Sequence, residues 1–524
     1  MTEKHYDVVV LGRSLGALVA AALLSRRDFR VLVLGQGARS PSYRFGRHVL
    51  RRGAFTMLFA SSPAWKRVLV ELAQTQTFRR RAELLDPMVQ LFSHDRRIEL
   101  PPDIKLFERE IEREFPEVRR VIDEHYGELA RANAAIDAVF EHDVVWPPGT
   151  FWEKRETRRL VSSLPYARAE PGFDLLADLP ALHPYRALTA HLVKFASHLS
   201  QANLPPFAVA RLHGSWSRGV HALPRGEDEL SEFLLERIEA HGGTCRLGDR
   251  ATRIYVGRGG ASGVLIDGEA SATGAGFVVA DSSGEQLAEL ADGEGILKRA
   301  ERDWPTLYPG HMRFVMSLVV RSEGLPDPLG REAIVVAKSD RGFPLHLVRM
   351  APGSESDAPI DARHESLLVV ETLIPATRSH QPLDGTAREQ ILETLARALP
   401  FLERHVITID SPHDGRPLWL FDDVREGAPT APKQVERIHL QGGTAAAEPM
   451  NVQWRVDGTS FLSLGGEPVR GPIGRTLLVG SSVLPALGQE GELLAAWSAV
   501  RVITRADGQK ERIRRAMWSK VELG

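Results

Sequence analysis

Residues 6–40, YDVVVLGRSLGALVAAALLSRRDFRVLVLGQGARS, decide the reading of this chain. Two apolar runs, one ending at Leu11 and one at Leu34, each stop at a glycine, Gly12 and Gly35. Between them lies a proline-free stretch rich in alanine and leucine. Short runs that are apolar on both faces suit buried parallel strands, and the alanine-leucine stretch suits a helix. The segment therefore predicts a strand over 6–11, a glycine turn, a helix over 15–26 and a second strand over 30–34. In such a βαβ unit the N–H groups of the turn and of the helix N-terminus face a pyrophosphate. The pattern for that job is G-x-G-x-x-G/A; here Gly12, Ser14 and Ala17 hold its three places, with a further glycine at Gly16. The end of the second strand, where an acid ordinarily holds ribose hydroxyls, is Gly35. The stretch announces a dinucleotide fold with two of its contacts altered.

Composition narrows the function classes. The chain has 524 residues, 66 Lys+Arg against 68 Asp+Glu, and a net charge of −2. No global field draws in nucleic acid. The single Cys245 excludes a disulfide framework and any multi-cysteine metal site, and no metal is expected. The start, MTEKHYD, lacks the basic and apolar regions of a signal peptide. The longest apolar run, 17–24, falls short of the ~20 residues a spanning helix needs. The expected location is cytoplasmic, with one candidate for peripheral membrane contact. Trp146, Phe151 and Trp152 precede Lys154, Arg155, Arg158 and Arg159, a ring-then-cation pattern that suits an interface. The same residues also suit a buried aromatic turn beside a solvated helix. At the C-terminus, Ile513, Met517 and Val521 share one stripe among basic residues and suit a cover for the core better than a second membrane-touching helix.

Two further stretches carry nucleotide-domain character. One, around 218–283, holds a Pro-Arg-Gly turn, a helix over 228–240 and Gly242-Gly243 as its stop. The other, 474–505, runs strand, glycine-rich loop, helix. Strand, loop and helix at both ends of the chain suit adjacent parallel strands of one buried sheet. Between these stretches lie a helical segment and a segment of alternating strands. In the first, Asp103 can cap a helix carrying Leu106, Phe107 and Ile111, and 116–140 has helical apolar spacing. The fold class expected is α/β. A discontinuous Rossmann-like domain takes residues 1–60, 218–305 and 456–524, and an α+β substrate domain with an antiparallel sheet and a helical insert takes 61–217 and 306–455.

With those segments in hand, the chain resembles the phytoene-desaturase-like family of FAD-dependent oxidoreductases, relatives of the amine oxidases and of the GDP-dissociation inhibitors. Four places carry the likeness. They are the N-terminal βαβ unit; GVHALPRGEDELSEFLLERIEAHGGTCRLGDRATRI (219–254); ILETLARALPFLERHV (391–406); and the loop Gly480, Pro485, Gly488, Gly491, which in the family passes under the flavin. Departures from the family's pattern are Ser14 and Gly35, then Glu227, Ala251 and Ala486.

The resemblance implies FAD, held weakly or substoichiometrically for want of the ribose acid. Gly12, Arg13, Ser14, Gly16 and Ala17 would line the pyrophosphate, with Gly35, Gln36, Arg39 and Ala251 at the adenosine end and Gly480, Pro485, Gly488 and Gly491 at the flavin end. His213, Trp216, Arg218, His221 and Arg225 surround the turn that in the family faces the flavin and are substrate-side candidates; no catalytic acid or base is named. His191 and His198 share a helical face and are read as packing residues. The implied activity is dehydrogenation or isomerisation of an apolar, isoprenoid or polyene-like substrate lying between the domains. The alternatives are a flavin-less relative acting as a lipid carrier or scaffold, and an amine or amino-acid oxidase.

Overall fold

The computed structural model describes residues 5–93, 96–166, 174–200, 204–336, 343–353, 364–376, 387–421, 432–458 and 461–508. The C-terminal stripe of Ile513, Met517 and Val521 lies outside them.

The apolar strand His5–Leu11 sits at the middle of a sheet that is seven-stranded among the described residues. It pairs in parallel with Val31–Leu34 on one side and Thr273–Ala280 on the other. Thr244–Arg246 extends the sheet beyond Val31–Leu34, and Thr476–Leu478 pairs in parallel with Thr273–Ala280. The two terminal strands are therefore not adjacent, as the sequence suggested. Thr273–Ala280, buried at Val278, Val279 and Ala280, separates them and ladders to both. The hairpin Ala251–Gly257 and Gly260–Ile266 closes the far edge.

The helix Leu15–Arg26 is buried along nearly its whole length and lies between Glu227–Ala240 and Gly488–Ala506. Its alanines let these neighbours approach closely. A buried ion pair ends it: Arg27 Nε and Nη2 reach the Glu71 carboxylate at 2.5 and 2.8 Å, and Nη1 donates to Thr504 Oγ1 at 3.0 Å. One guanidinium thus ties the first helix to Pro63–Glu71 and to the last helix.

A second sheet, ten-stranded among the described residues, is organised on Thr306–Arg321. That strand pairs with Glu365–Pro375 from His311 to Arg321, with Asn451–Asp457 over its first part and with Val406–Asp410 over its last. Alternation sorts its faces. Phe314, Met316, Leu318 and Val320 pack with Ile391 and Leu395 of the helix Ala387–Ala398. Val315 and Val319 pack with Tyr43 and Leu50 of a hairpin that follows the first βαβ unit. The helical segment holds Ile104–Glu114, capped by Asp103 as expected, then Arg119–Phe140, Phe151–Val161, Pro184–Ala196 and Pro206–Ser217.

The aromatic cluster divides. Trp146 is 2% exposed, packed on Phe140 and Phe461, so it belongs to the core and not to an interface. Phe151 and Trp152 are each 71% exposed at the start of their helix. Among the described residues no helix is long and apolar enough to cross a membrane.

Breaking one partner of a buried ion pair strands the other charge, which costs about 3–5 kcal/mol. Arg27→Ala is expected to lower urea-unfolding stability by about that much, whereas Arg120→Ala, in the exposed Arg120–Glu124 pair, leaves the midpoint unchanged.

Candidate dinucleotide site

The turn after the first strand has the expected backbone. Gly12 has φ +114°, a conformation side chains rarely adopt, and Ser14 caps the helix, its Oγ accepting from the Ala17 N–H at 3.3 Å. What lies against this turn is the chain itself. Asp281 follows Thr273–Ala280, whose last residue is in register with Leu11, so its carboxylate arrives directly beside Gly12. A Cβ on Gly12 would meet Asp281 Oδ1 at 2.0 Å. The Ser14 N–H donates to Asp281 Oδ2 at 2.8 Å. One residue pair further along, the Gly16 N–H donates to Glu492 Oε2 at 3.3 Å, and Glu492 Oε1 lies 3.0 Å from His198 Nε2. Two donors expected to face a pyrophosphate are thus held by internal carboxylates.

The surrounding charge is predominantly negative. Glu227 opens the helix Glu227–Ala240, and its pKa is pushed up to about 7, first by burial and then by Asp228, with Glu492 adding to it. Burial also pushes the Asp281 carboxyl above its ordinary range, against the N–H bond from Ser14. Arg13 faces this group, its pKa lowered by burial and supported by Glu227 and Asp228. Arg51 is ion-paired with Asp228.

The adenosine end is closed in the same manner. A Cβ on Gly35 would lie 1.9 Å from the Leu247 carbonyl oxygen, so backbone occupies the place of a ribose-binding acid. Gln36 turns its amide onto Ala251: the Ala251 N–H donates to Gln36 Oε1 at 2.9 Å, and Gln36 Nε2 donates to the Ala251 carbonyl at 2.8 Å. That two-point pairing uses the backbone edge expected to receive adenine. Arg39 points away to Glu448 at 3.6 Å, a carboxylate already held by Arg52.

At the flavin end the glycines are places where chain crosses chain. A Cβ on Gly480 would meet the Asp281 carbonyl at 2.0 Å, one on Gly488 the Ala196 carbonyl at 2.0 Å, and one on Gly491 the Leu484 carbonyl at 2.3 Å. The Pro485 carbonyl accepts from the His198 N–H at 2.8 Å. Beside this loop Glu490 is buried and clamped by Arg211 at 2.5 and 2.6 Å, with Ser62 as a further donor. Burial opposes its charge, but Arg211 outweighs it and the pKa falls below the ordinary range.

The five substrate-side candidates do not converge. His213 is in the helical core against Tyr126 at 3.1 Å, and burial pushes its pKa down to about 3. Trp216 is buried, its Nε1 donating to the Leu192 carbonyl at 2.9 Å. Arg218 pairs with Asp137 at 2.7 Å, which also binds Arg211. His221 Nδ1 donates to the Gly219 carbonyl at 3.3 Å, and Arg225 reaches Glu232 at the surface. His198 does not share a helical face with His191, because the helix ends at Ala196; it meets Glu492, which bonds the Gly16 N–H, while His191, whose pKa burial lowers to about 4, stays on the helix. Sequence reasoning missed Asp281, Glu490 and Glu492. The last two flank Gly491 in the first turns of the last helix, where a carboxylate would oppose a phosphate, and that was the available signal. An apolar cavity of about 680 Å³, lined by Leu392, Leu402, Ile409, Trp419 and Phe421, lies on the sheet face covered by Ala387–Ala398. This is the face opposite the one that meets Tyr43 and Leu50.

Residues 10–72 match the family model described as an NAD(P)-binding Rossmann-like domain. No curated protein matches the sequence. Among solved structures the chain resembles an oxidoreductase from Methanosarcina mazei, at 14% identity and TM-score 0.55, over 92% of this chain and 98% of that one. It also resembles a redesigned putrescine oxidase, at 15% identity and TM-score 0.55, over 96% and 99%. A third likeness is to a protein provisionally assigned as a protoporphyrinogen oxidase from Exiguobacterium sp. 255-15, at 14% identity and TM-score 0.50, over 96% and 99%. The chain has the fold of these oxidoreductases. For FAD, the backbone of the strand-turn-helix fits, while Asp281, Gln36 and the Leu247 backbone stand in its place and Asp281 and Glu492 oppose it in charge.

Because Glu227 titrates higher in the folded chain than its ordinary 4.5, its ionisation costs stability as pH rises from about 4.5 to about 7. Glu227→Gln is expected to exceed the wild type by about 1–3 kcal/mol above pH 7. Below pH 4.5 the two converge. Denaturant melts at pH 4, 6 and 8 measure this.

Proposed function

We propose that this chain is an FAD-dependent oxidoreductase that holds its cofactor weakly and dehydrogenates or isomerises an apolar, polyene-like substrate. The observation that carries the cofactor part is the pairing of an intact glycine turn, Gly12 at φ +114°, with a glycine-crossed loop before the last helix. Support for the substrate class comes from the likeness to phytoene desaturases. Consistent with it, His213, Trp216, Arg218 and Arg225 are all engaged within the chain and offer no acid-base pair for a polar reaction. Similarity to a putrescine oxidase at 15% identity concerns the fold and does not favour an amine substrate.

One observation favours the second reading, a flavin-less carrier or scaffold. Asp281, Glu492 and Gln36 each take a hydrogen-bonding group that a dinucleotide would use. The two readings separate on a spectrum. Protein purified from flavin-supplemented cells is expected to show the absorbance of oxidised flavin below one equivalent, and to melt higher on adding FAD. Absence of both effects leaves the carrier.

A peripheral membrane contact remains part of the proposal, resting on Phe151 and Trp152 beside Arg155, Arg158 and Arg159. Co-sedimentation with anionic liposomes is expected for the wild type and reduced in Phe151→Ser/Trp152→Ser; equal partition of both rejects the contact.

A further inference from the structure

We infer that Asp281 and Glu492 set the dinucleotide affinity of this chain, acting as internal occupants of the pyrophosphate cradle that an incoming dianion must displace. The inference rests on the FAD reading above and concerns what opposes that binding.

Two contacts carry it, each made from a different part of the chain. Asp281 comes from the end of a sheet strand and fills the space beside Gly12 while accepting the Ser14 N–H at 2.8 Å. Glu492 comes from the last helix and accepts the Gly16 N–H at 3.3 Å. Both donors belong to the start of one twelve-residue helix, where the helix dipole favours an anion. A pyrophosphate placed there loses twice. Its acceptors compete with carboxylates already bonded, and its charge is repelled by them at short range in a poorly solvated site.

The groups facing this cradle come from every element around it. Arg13 lies on the turn, and Arg51 and Arg52 on and just after the following hairpin. His198 lies past the helix Pro184–Ala196, against Glu492. Glu227 and Asp228 open the helix Glu227–Ala240. Arg51 is committed to Asp228 and Arg52 to Glu448, so Arg13 is left to face Glu227 and the incoming anion. Protons taken up anywhere in this cluster reduce its negative charge. FAD binding should therefore strengthen as pH falls, the reverse of what loss of a structural contact would give.

The test is titration of FAD into the full chain at pH 8 and pH 5.5, followed by flavin fluorescence and by calorimetry. The variants are Asp281→Asn, Glu492→Gln and the double substitution, each checked by thermal melting. Both keep shape and can still accept an N–H. The expectation is that the double variant binds FAD about ten- to a hundredfold more tightly than wild type at pH 8, with the gap narrowing at pH 5.5. If the wild type binds and neither variant binds more tightly at pH 8, the inference is overturned and the FAD reading stands. If no form binds at either pH, both fall, and the cradle belongs to a protein without a dinucleotide.

Discussion

A helix that starts inside a protein must find acceptors for its first N–H groups. Here the helix Leu15–Arg26 is sheathed by the sheet and by the helices Glu227–Ala240 and Gly488–Ala506, so water cannot do the work at Gly16 and Ala17, both buried. An unsatisfied buried N–H costs about 1–3 kcal/mol. In a dinucleotide enzyme the ligand supplies the acceptors. In this chain Ser14 Oγ takes Ala17, Asp281 takes Ser14 and Glu492 takes Gly16. The arrangement around the cofactor cradle follows from that requirement being met internally.

Meeting it with carboxylates has consequences for the neighbours. Asp281 and Glu492 bring negative charge to a place where Glu227 and Asp228 already stand, where Arg13, Arg51 and the His198 imidazole face them. Two anions enclosed together cannot both ionise freely. Burial first and then Asp228 push the Glu227 pKa up to about 7, so it is the group that gives way. Two residues before Glu492 on the last helix the balance is the opposite: Glu490 is held by Arg211 in a bidentate clamp, with Arg211 also reaching Asp137, and keeps its charge readily. Two glutamates, two positions apart on the last helix, therefore have different partners. Glu490 fixes the helical segment to the loop, while Glu492 stands at the cradle.

The elements that were legible in the sequence are those whose signal is local. The helix at 15–26, the cap at Asp103 and the helix after Gly226 are read from alternation, spacing and capping residues within one or two turns. The contacts that define the candidate site are not local. Ser14 meets Asp281 across 267 positions, Gln36 meets Ala251 across 215, and Gly16 meets Glu492 across 476. No periodicity reports such pairings. The same limit explains one departure, Thr273–Ala280 lying between the terminal strands, and why spacing could not say which of Trp146, Phe151 and Trp152 turns inward onto Phe140 and Phe461. Motif positions told where a ligand would sit; only long-range packing told what already sits there.

The altered motif positions form a coherent set, and this bears on how the site came to differ from its relatives' pattern. A site that merely lost selection would keep its shape and leave donors open to solvent. Here each missing contact has an internal successor. The backbone of Leu247 closes on Gly35, so the ribose acid could not be restored without moving that segment. The Gln36 amide satisfies both polar groups of Ala251, with the two-point geometry an adenine edge would use. Asp281 and Glu492 satisfy the helix start. Substitutions at Ser14 or Gly35 alone would not rebuild a strong dinucleotide site, because the occupancy lies with residues outside the motif. The affinity of the cradle is decided by Asp281 and Glu492, at the ends of elements far away in sequence, rather than by the glycine pattern that first identifies it.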